Sequence, residues 1–159
     1  MQDYRKLNVW AKAHAFAVEV HQVCEVMPRR SGVALAPQLR KAALSISANI
    51  VEGTAKDSQP ELRRFLVIAL GSAAEAEYHL LVARDTNLLA PTAYDKLAMQ
   101  AVEIRRLLTG LIKRVTISID ENAVPRRPFV PNQPHANSTR TPQGPATNPT
   151  LEHFNQSLR

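Results

Sequence analysis

At 159 residues the chain is long enough for one domain, and its formal charge of +6 draws it toward nucleic acid or acidic surfaces. Cys24 is the only cysteine, so no intrachain disulfide can form and a reducing compartment is expected. The opening Met1-Gln2-Asp3-Tyr4-Arg5-Lys6 is too polar for a secretory signal, and the longest apolar run, Phe65 to Ala74, is interrupted by Gly71-Ser72 and falls short of the roughly 20 residues a membrane span needs. The expectation is a soluble, cytoplasmic protein.

Apolar residues at helical spacing mark four helices in succession. The first, about Leu7 to Val26, carries Val9, Ala13, Phe16, Val20, Val23 and Met27 at steps of four and three, and Pro28 ends it. The second, from about Leu35 to Glu52, carries two stripes. Leu35, Leu39, Ala43, Ile46 and Ile50 form an apolar ridge, and Gln38, Ala42, Ser45, Asn49 and Glu52 form a ridge of small and polar side chains beside it, which lets another helix come close. Gly53 reads as the left-handed residue that ends this helix, and Ser58-Gln59-Pro60-Glu61 as a capping box that opens the next, across a corner of about five residues.

The third helix runs from about Pro60 to Asn87 through Leu62, Phe65, Ala69, Ala73, Ala76, Leu80 and Ala83, where so many alanines permit tight contact. The fourth begins after Pro91 with Thr92 as its cap and Asp95 in its first turn, then presents Tyr94, Leu97, Ala101, Ile104, Leu108, Leu111 and Val115. Four helices with short connections predict an all-α, up-down-up-down antiparallel four-helix bundle over residues 4–119. Residues 120–159 hold seven of the eleven prolines and few large apolar side chains, so they form a Pro-rich tail that cannot bury enough surface to order itself. Four arginines against three acids give that tail +1, which leaves +5 on the bundle.

The bundle has more apolar surface than one seam consumes. Leu66, Val67, Ile68 and Leu70 on the third helix, with Leu44 and Val51 on the second, point to self-association.

Several of these segments resemble a known family. Gln38-Leu39-Arg40, Asn49-Ile50-x-Glu52-Gly53, Glu61 with Phe65-Leu66, Gly71-Ser72 with Glu75, and upstream Leu7-Asn8-Val9-Trp10, together resemble the four-helix-bundle proteins encoded within intervening sequences of bacterial 23S ribosomal RNA genes. The resemblance runs in order from about Tyr4 to Leu111, and the Pro-rich tail is where the chain departs from it. It implies a bundle fold and a homopentamer. Members in turn resemble accessory proteins of diversity-generating retroelements, which form five-fold barrels and bind nucleic acid beside a reverse transcriptase.

Catalysis finds no residues to stand on. A di-metal carboxylate bundle needs inward Glu-x-x-His repeats, and Glu75 lies four residues before His79. His14, His21 and Glu25 share one helix face without further ligands, so neither a metal nor a cofactor is expected. No Walker loop, zinc-type cysteine pair or nucleophile elbow is present, and the chain is read as a non-enzyme. Asn49 and Glu52 are expected to tie the corner to the third helix by hydrogen bonds and an ion pair, with Lys56, Arg40, Arg63 and Arg64 in reach.

Basic doublets recur at Arg29-Arg30, Arg40-Lys41, Arg63-Arg64, Arg105-Arg106, Lys113-Arg114 and Arg126-Arg127. On the fourth helix Lys96, Arg106 and Lys113 project away from the apolar seam. The predicted nucleic-acid surface is Arg40, Lys41, Lys96, Arg105, Arg106, Lys113 and Arg114, which would hold structured RNA or an RNA/DNA hybrid by phosphate contact without reading bases. Aromatics for stacking are few, and Trp10 and Phe65 are assigned to packing. The alternative is a protein-interaction scaffold whose partner is a reverse transcriptase or another ring of the same chain.

Overall fold

The computed structural model describes residues 3–28 and 33–123. The Pro-rich tail beyond Ala123 and the Arg29-Arg30 and Arg126-Arg127 doublets lie outside them. A 3₁₀ turn, Tyr4–Lys6, precedes four helices: α1, Asn8–Val26; α2, Leu35–Thr54; α3, Gln59–Asp85; and α4, Pro91–Ala123.

Cross-helix contacts fix the directions. Between α1 and α4, Lys12 pairs with Glu103 and Lys96 with Glu19, so numbers rise on one helix as they fall on the other. Arg63 meets Thr116 while Glu77 meets Arg105 between α3 and α4, and Ser45 meets Ser72 while Gly53 meets Phe65 between α2 and α3. Between α1 and α2, Arg40 pairs with Glu25 and Leu44 lies by Val18. Each helix is therefore antiparallel to its two neighbours. The diagonal pairs, α1 with α3 and α2 with α4, make no close backbone approach among the described residues. This is the up-down-up-down bundle that the four apolar stripes predict.

The core lies where those stripes meet. Phe16, Val20, Leu39, Ile46, Ile50, Leu66, Leu80, Leu97, Ile104 and Leu108 are its largest fully buried side chains, each worth about 1.5–3 kcal/mol of burial. Ala69, Ala73, Ala76 and Ala83 line the buried side of α3 with no exposed surface, so its neighbours approach the backbone closely. By length and composition α3 is also long and apolar enough to cross a bilayer, although its sequence is interrupted by Gly71-Ser72. Its Leu62, Leu66 and Leu80 are buried in the bundle instead.

Gly53 is not the left-handed residue expected of it. Helix α2 continues through it to Thr54, and no described glycine has positive φ. A Cβ on Gly53 would lie 2.9 Å from Phe65 Cβ and 3.2 Å from Leu62 Cδ1, so the glycine is there to let α2 and α3 cross. The left-handed position belongs to Asn87, with φ 56°, after α3. There Leu88 N–H donates to Ala83 O at 2.8 Å and Asn87 N–H to Arg84 O at 3.0 Å, the two bonds of a Schellman ending. Asparagine is the residue besides glycine that tolerates this backbone most readily.

The other helix boundaries follow local chemistry. Ser58 Oγ accepts from Glu61 N–H at 3.3 Å and Pro60 sits in the first turn of α3, as the capping box predicts. The Glu61 carboxylate turns forward to Arg64 rather than back to the cap. Thr92 is not a cap: α4 starts at Pro91 itself, whose missing N–H costs nothing in a first turn. At its far end α4 runs on to Ala123, past Asp120.

Gly53→Ala is expected to destabilise the bundle by about 1–3 kcal/mol through forced repacking, although alanine is the better helix former by roughly 1 kcal/mol. A methyl group placed on Gly71 or Gly110 would meet nothing within 4 Å, so Gly71→Ala and Gly110→Ala should stabilise the isolated bundle by up to about 1 kcal/mol. Urea denaturation compares them; effects of the same sign at Gly53 and Gly71 would contradict the crossing assigned to Gly53.

Candidate nucleic-acid interface

Lys and Arg side chains matter to a polyanion only if no carboxylate already holds them, and ion pairs divide the predicted surface. Arg40 lies 2.8 Å from Glu25, Lys96 2.8 Å from Glu19 and Arg105 2.7 Å from Glu77. Each of these pairs joins two helices. Among the described residues no carboxylate lies within 4.0 Å of the charged nitrogens of Lys41, Arg106, Lys113 or Arg114. The predicted set therefore separates into three cations bound within the bundle and four free ones.

Arg5, Lys6 and Arg63 are likewise without a carboxylate partner among the described residues. Arg63 is held against α4 by its Nε–H, which donates to Thr116 Oγ1 at 2.9 Å. The antiparallel register gathers the start of α1, the start of α3 and the second half of α4 at one end of the bundle. Among the described residues five of the seven free cations, Arg5, Lys6, Arg63, Lys113 and Arg114, lie toward that end, while Arg106 sits at the middle of α4 and Lys41 toward the other end. Asp3, Asp57, Asp120 and Glu121 share it, and Glu52 and Glu61 there pair with Lys56 and Arg64. On α4, Val102, Arg105, Arg106 and Thr109 line a shallow groove. The doublets hid this division, since adjacent residues on a helix diverge by 100° and only one of Arg105-Arg106 meets a partner helix.

The polar corner motif is built differently from its predicted form. Asn49 does not reach α3: its Nδ2 donates to Ser45 O at 2.7 Å and Ser45 Oγ at 3.0 Å, inside α2. Ser45 Oγ lies 2.9 Å from Ser72 Oγ, and Ser72 donates on to Ile68 O at 3.1 Å. One chain of hydrogen bonds thus crosses from α2 to α3 through two hydroxyls. Glu52 is exposed and pairs with Lys56 one turn on, not with α3. Glu75 is exposed with His79 Nε2 3.5 Å away, and Gly71 is exposed beside Val67, Ile68 and Tyr78.

Cys24 is buried at the α1–α2 end with its Sγ 3.7 Å from Ala36 O. Burial pushes its thiol above the ordinary range, so it stays protonated and a poor nucleophile. Among the described residues no three His, Cys, Asp or Glu side chains come together to hold a metal.

Glu19 gives the ion pairs a pH signature. Its hydrogen bond to Lys96 holds its carboxyl below the usual range, with burial opposing and Gln100 and the Lys96 charge adding to the fall. A depressed folded-state pKa contributes stability above the unfolded value of about 4 and loses it as pH falls through the folded value. Glu19→Gln should therefore be less stable than the parent at neutral pH, the gap closing as thermal melts are taken below pH ~4. A gap that persists unchanged at pH ~3 would show that Glu19 acts by packing alone.

A family model described as 23S rRNA-intervening sequence protein matches residues 5–110, which takes in α1 to α3 and α4 as far as Gly110, with Lys113 and Arg114 beyond it. No curated protein matches the chain. Among solved structures, a protein with unknown function from the S23 ribosomal protein family of Bacteroides thetaiotaomicron is similar, with 28% identity and a TM-score of 0.62 over 66% of this chain and 98% of that one. That neighbour is matched over nearly its whole length, and the family span encloses the α2–α3 crossing with its Asn49, Gly53, Ser72 and Glu75. The chain belongs to the 23S rRNA-intervening sequence protein family.

Proposed function

We propose that this protein is a non-enzymatic, self-associating bundle that binds nucleic acid, structured RNA or an RNA/DNA hybrid, through the free cations of α4 and the Arg63 beside them. The observation that carries the reading is the segregation of charge. Arg106, Lys113 and Arg114 on α4, and Arg63 beside them, stand without carboxylate partners among the described residues, whereas Arg40, Lys96 and Arg105 are neutralised between helices. Unpaired Lys and Arg attract phosphate without regard to sequence and do so in proportion to their number. The family's association with ribosomal RNA genes agrees with such a partner. A cytoplasmic location is part of the same proposal.

Self-association is supported by the outer face of α3, where Val67, Ile68 and Tyr78 are 44%, 40% and 61% exposed around Gly71. Repeating these α4 cations around an assembly multiplies their field, and the family resemblance makes the assembly a pentamer. The same apolar face favours the second reading, a scaffold or accessory subunit that docks a protein such as a retroelement reverse transcriptase.

Binding to a duplex should weaken steeply with salt. Three phosphate contacts per protomer predict a loss of roughly forty-fold between 50 and 200 mM salt. Arg106→Glu with Lys113→Glu should abolish most of that affinity while Arg40→Gln changes it little, as read by fluorescence anisotropy. No binding at low salt would favour the scaffold.

Tyr78→Asp with Val67→Asp should shift the particle in sedimentation toward the 17.6 kDa monomer. A parent chain already monomeric at every concentration would remove self-association from the proposal.

A further inference from the structure

The α1–α2 side of the bundle carries a row of aromatic rings. Trp10 and His14 stack with centroids 5.3 Å apart and planes within 9° of parallel, and Tyr4 meets Trp10 edge-on at 4.8 Å. At one end of this row the Arg5 guanidinium lies 4.7 Å from the centre of the Tyr4 ring, and neither Arg5 nor Lys6 has a carboxylate partner among the described residues. At the other end the row opens into a groove of about 280 Å³ between α1 and α2. Exposed His14 and His21 and the side chains of Val18 and Leu44, which are 44% and 56% exposed, line that groove.

Packing explains part of this arrangement. Trp10 is partly buried against the core, and Tyr4 fastens the N-terminal turn to it. Packing does not explain why the row ends on an exposed imidazole that lies parallel to the indole and borders an apolar groove. A flat ring with apolar faces and polar edges fits such a place, because it continues the stack while its edges remain in water. Free cations next to stacked aromatics form the combination by which proteins hold single strands: the rings take bases and the cations take the phosphates between them.

We propose that the His14 end of this row, with the groove beside it, takes an unpaired nucleobase, and that Arg5 and Lys6 hold the adjoining phosphates. The bound species is then single-stranded nucleic acid or the unpaired part of a structured one. This rests on the nucleic-acid reading above and adds to it a second contact, of different chemistry, on another side of the bundle. A duplex, whose bases are already stacked, has no ring to offer the groove.

Trp10 is the only tryptophan in the chain, so its fluorescence reports on the row directly. The full-length protein is titrated with oligo-dT, oligo-U and a blunt duplex of equal length. Both single strands should quench Trp10, and the duplex should bind without quenching it. His14→Ala should lower single-strand affinity by about five- to a hundred-fold and leave duplex affinity unchanged, and His14→Tyr, which keeps a stacking ring, should restore it. Quenching by oligo-U alone would assign the site to RNA, with the base-stacking proposal intact.

Equal quenching by strand and duplex would overturn the groove, as would single-strand affinity that is indifferent to His14→Ala, and either result would leave the cationic α4 surface standing. No binding of any nucleic acid at low salt would overturn both.

Discussion

Two helices cross with almost nothing between them, and most of the molecule's geometry follows from that contact. Gly53 puts the backbone of α2 against Phe65 and Leu62 of α3, where even a methyl group would collide. The Phe65 ring is covered from outside by Arg64 and Lys56, whose charged groups lie 4.2 and 5.1 Å from its centre. Farther along the same pair, Ala42 and Ala43 are buried and Ser45 shares its hydroxyl with Ser72. Small residues set the distance and the hydroxyl pair sets the register, since sliding one helix past the other would strand two polar groups at a buried seam. With α2 and α3 so placed, Arg63 and Glu77 on α3 locate α4 through Thr116 and Arg105.

Electrostatics in this fold is largely a matter of subtraction. Exposed ion pairs contribute little to stability, typically about 0–1 kcal/mol each, so Lys12–Glu103 and Arg105–Glu77 matter more for the charge they cancel than for the strength they add. What is left uncancelled determines the field that an approaching polyanion meets. Among the described residues that remainder includes Arg63, Arg106, Lys113 and Arg114 along α4 and its α3 neighbour, with Asp120 and Glu121 at the end of α4. Net charge alone conceals which cations these are, because +5 counts paired and unpaired side chains alike.

Architecture was legible because apolar spacing is a local signal. Val9, Ala13, Phe16 and Val20, or Leu97, Ala101, Ile104 and Leu108, mark a buried face without knowledge of any neighbour, and all eight are buried. The Ser58 cap was legible for the same reason. Gly53 and Asn87 were not. A glycine near a helix end suits a left-handed turn and a close crossing equally well, and only the position of Phe65 decides between them. Asn49 and Glu52 were assigned across the corner because both looked short of partners, yet each found one within a turn of its own helix. Of the seven cations proposed for phosphate, the sequence could not show that Arg40, Lys96 and Arg105 face glutamates on neighbouring helices. Arg63 and the Trp10–His14 stack were missed because each depends on a partner that only the fold supplies.

The buried thiol of Cys24 gives the protein an internal reporter. It lies beside the first turn of α2, lining a pocket with Met27 and Ala36, and is the sole sulfhydryl in the chain. The rate at which a thiol reagent labels it reports on access to the α1–α2 end, apart from unfolding of the whole. Comparing labelling with and without a bound partner would separate ligands that cover the α1–α2 end from those that leave it accessible.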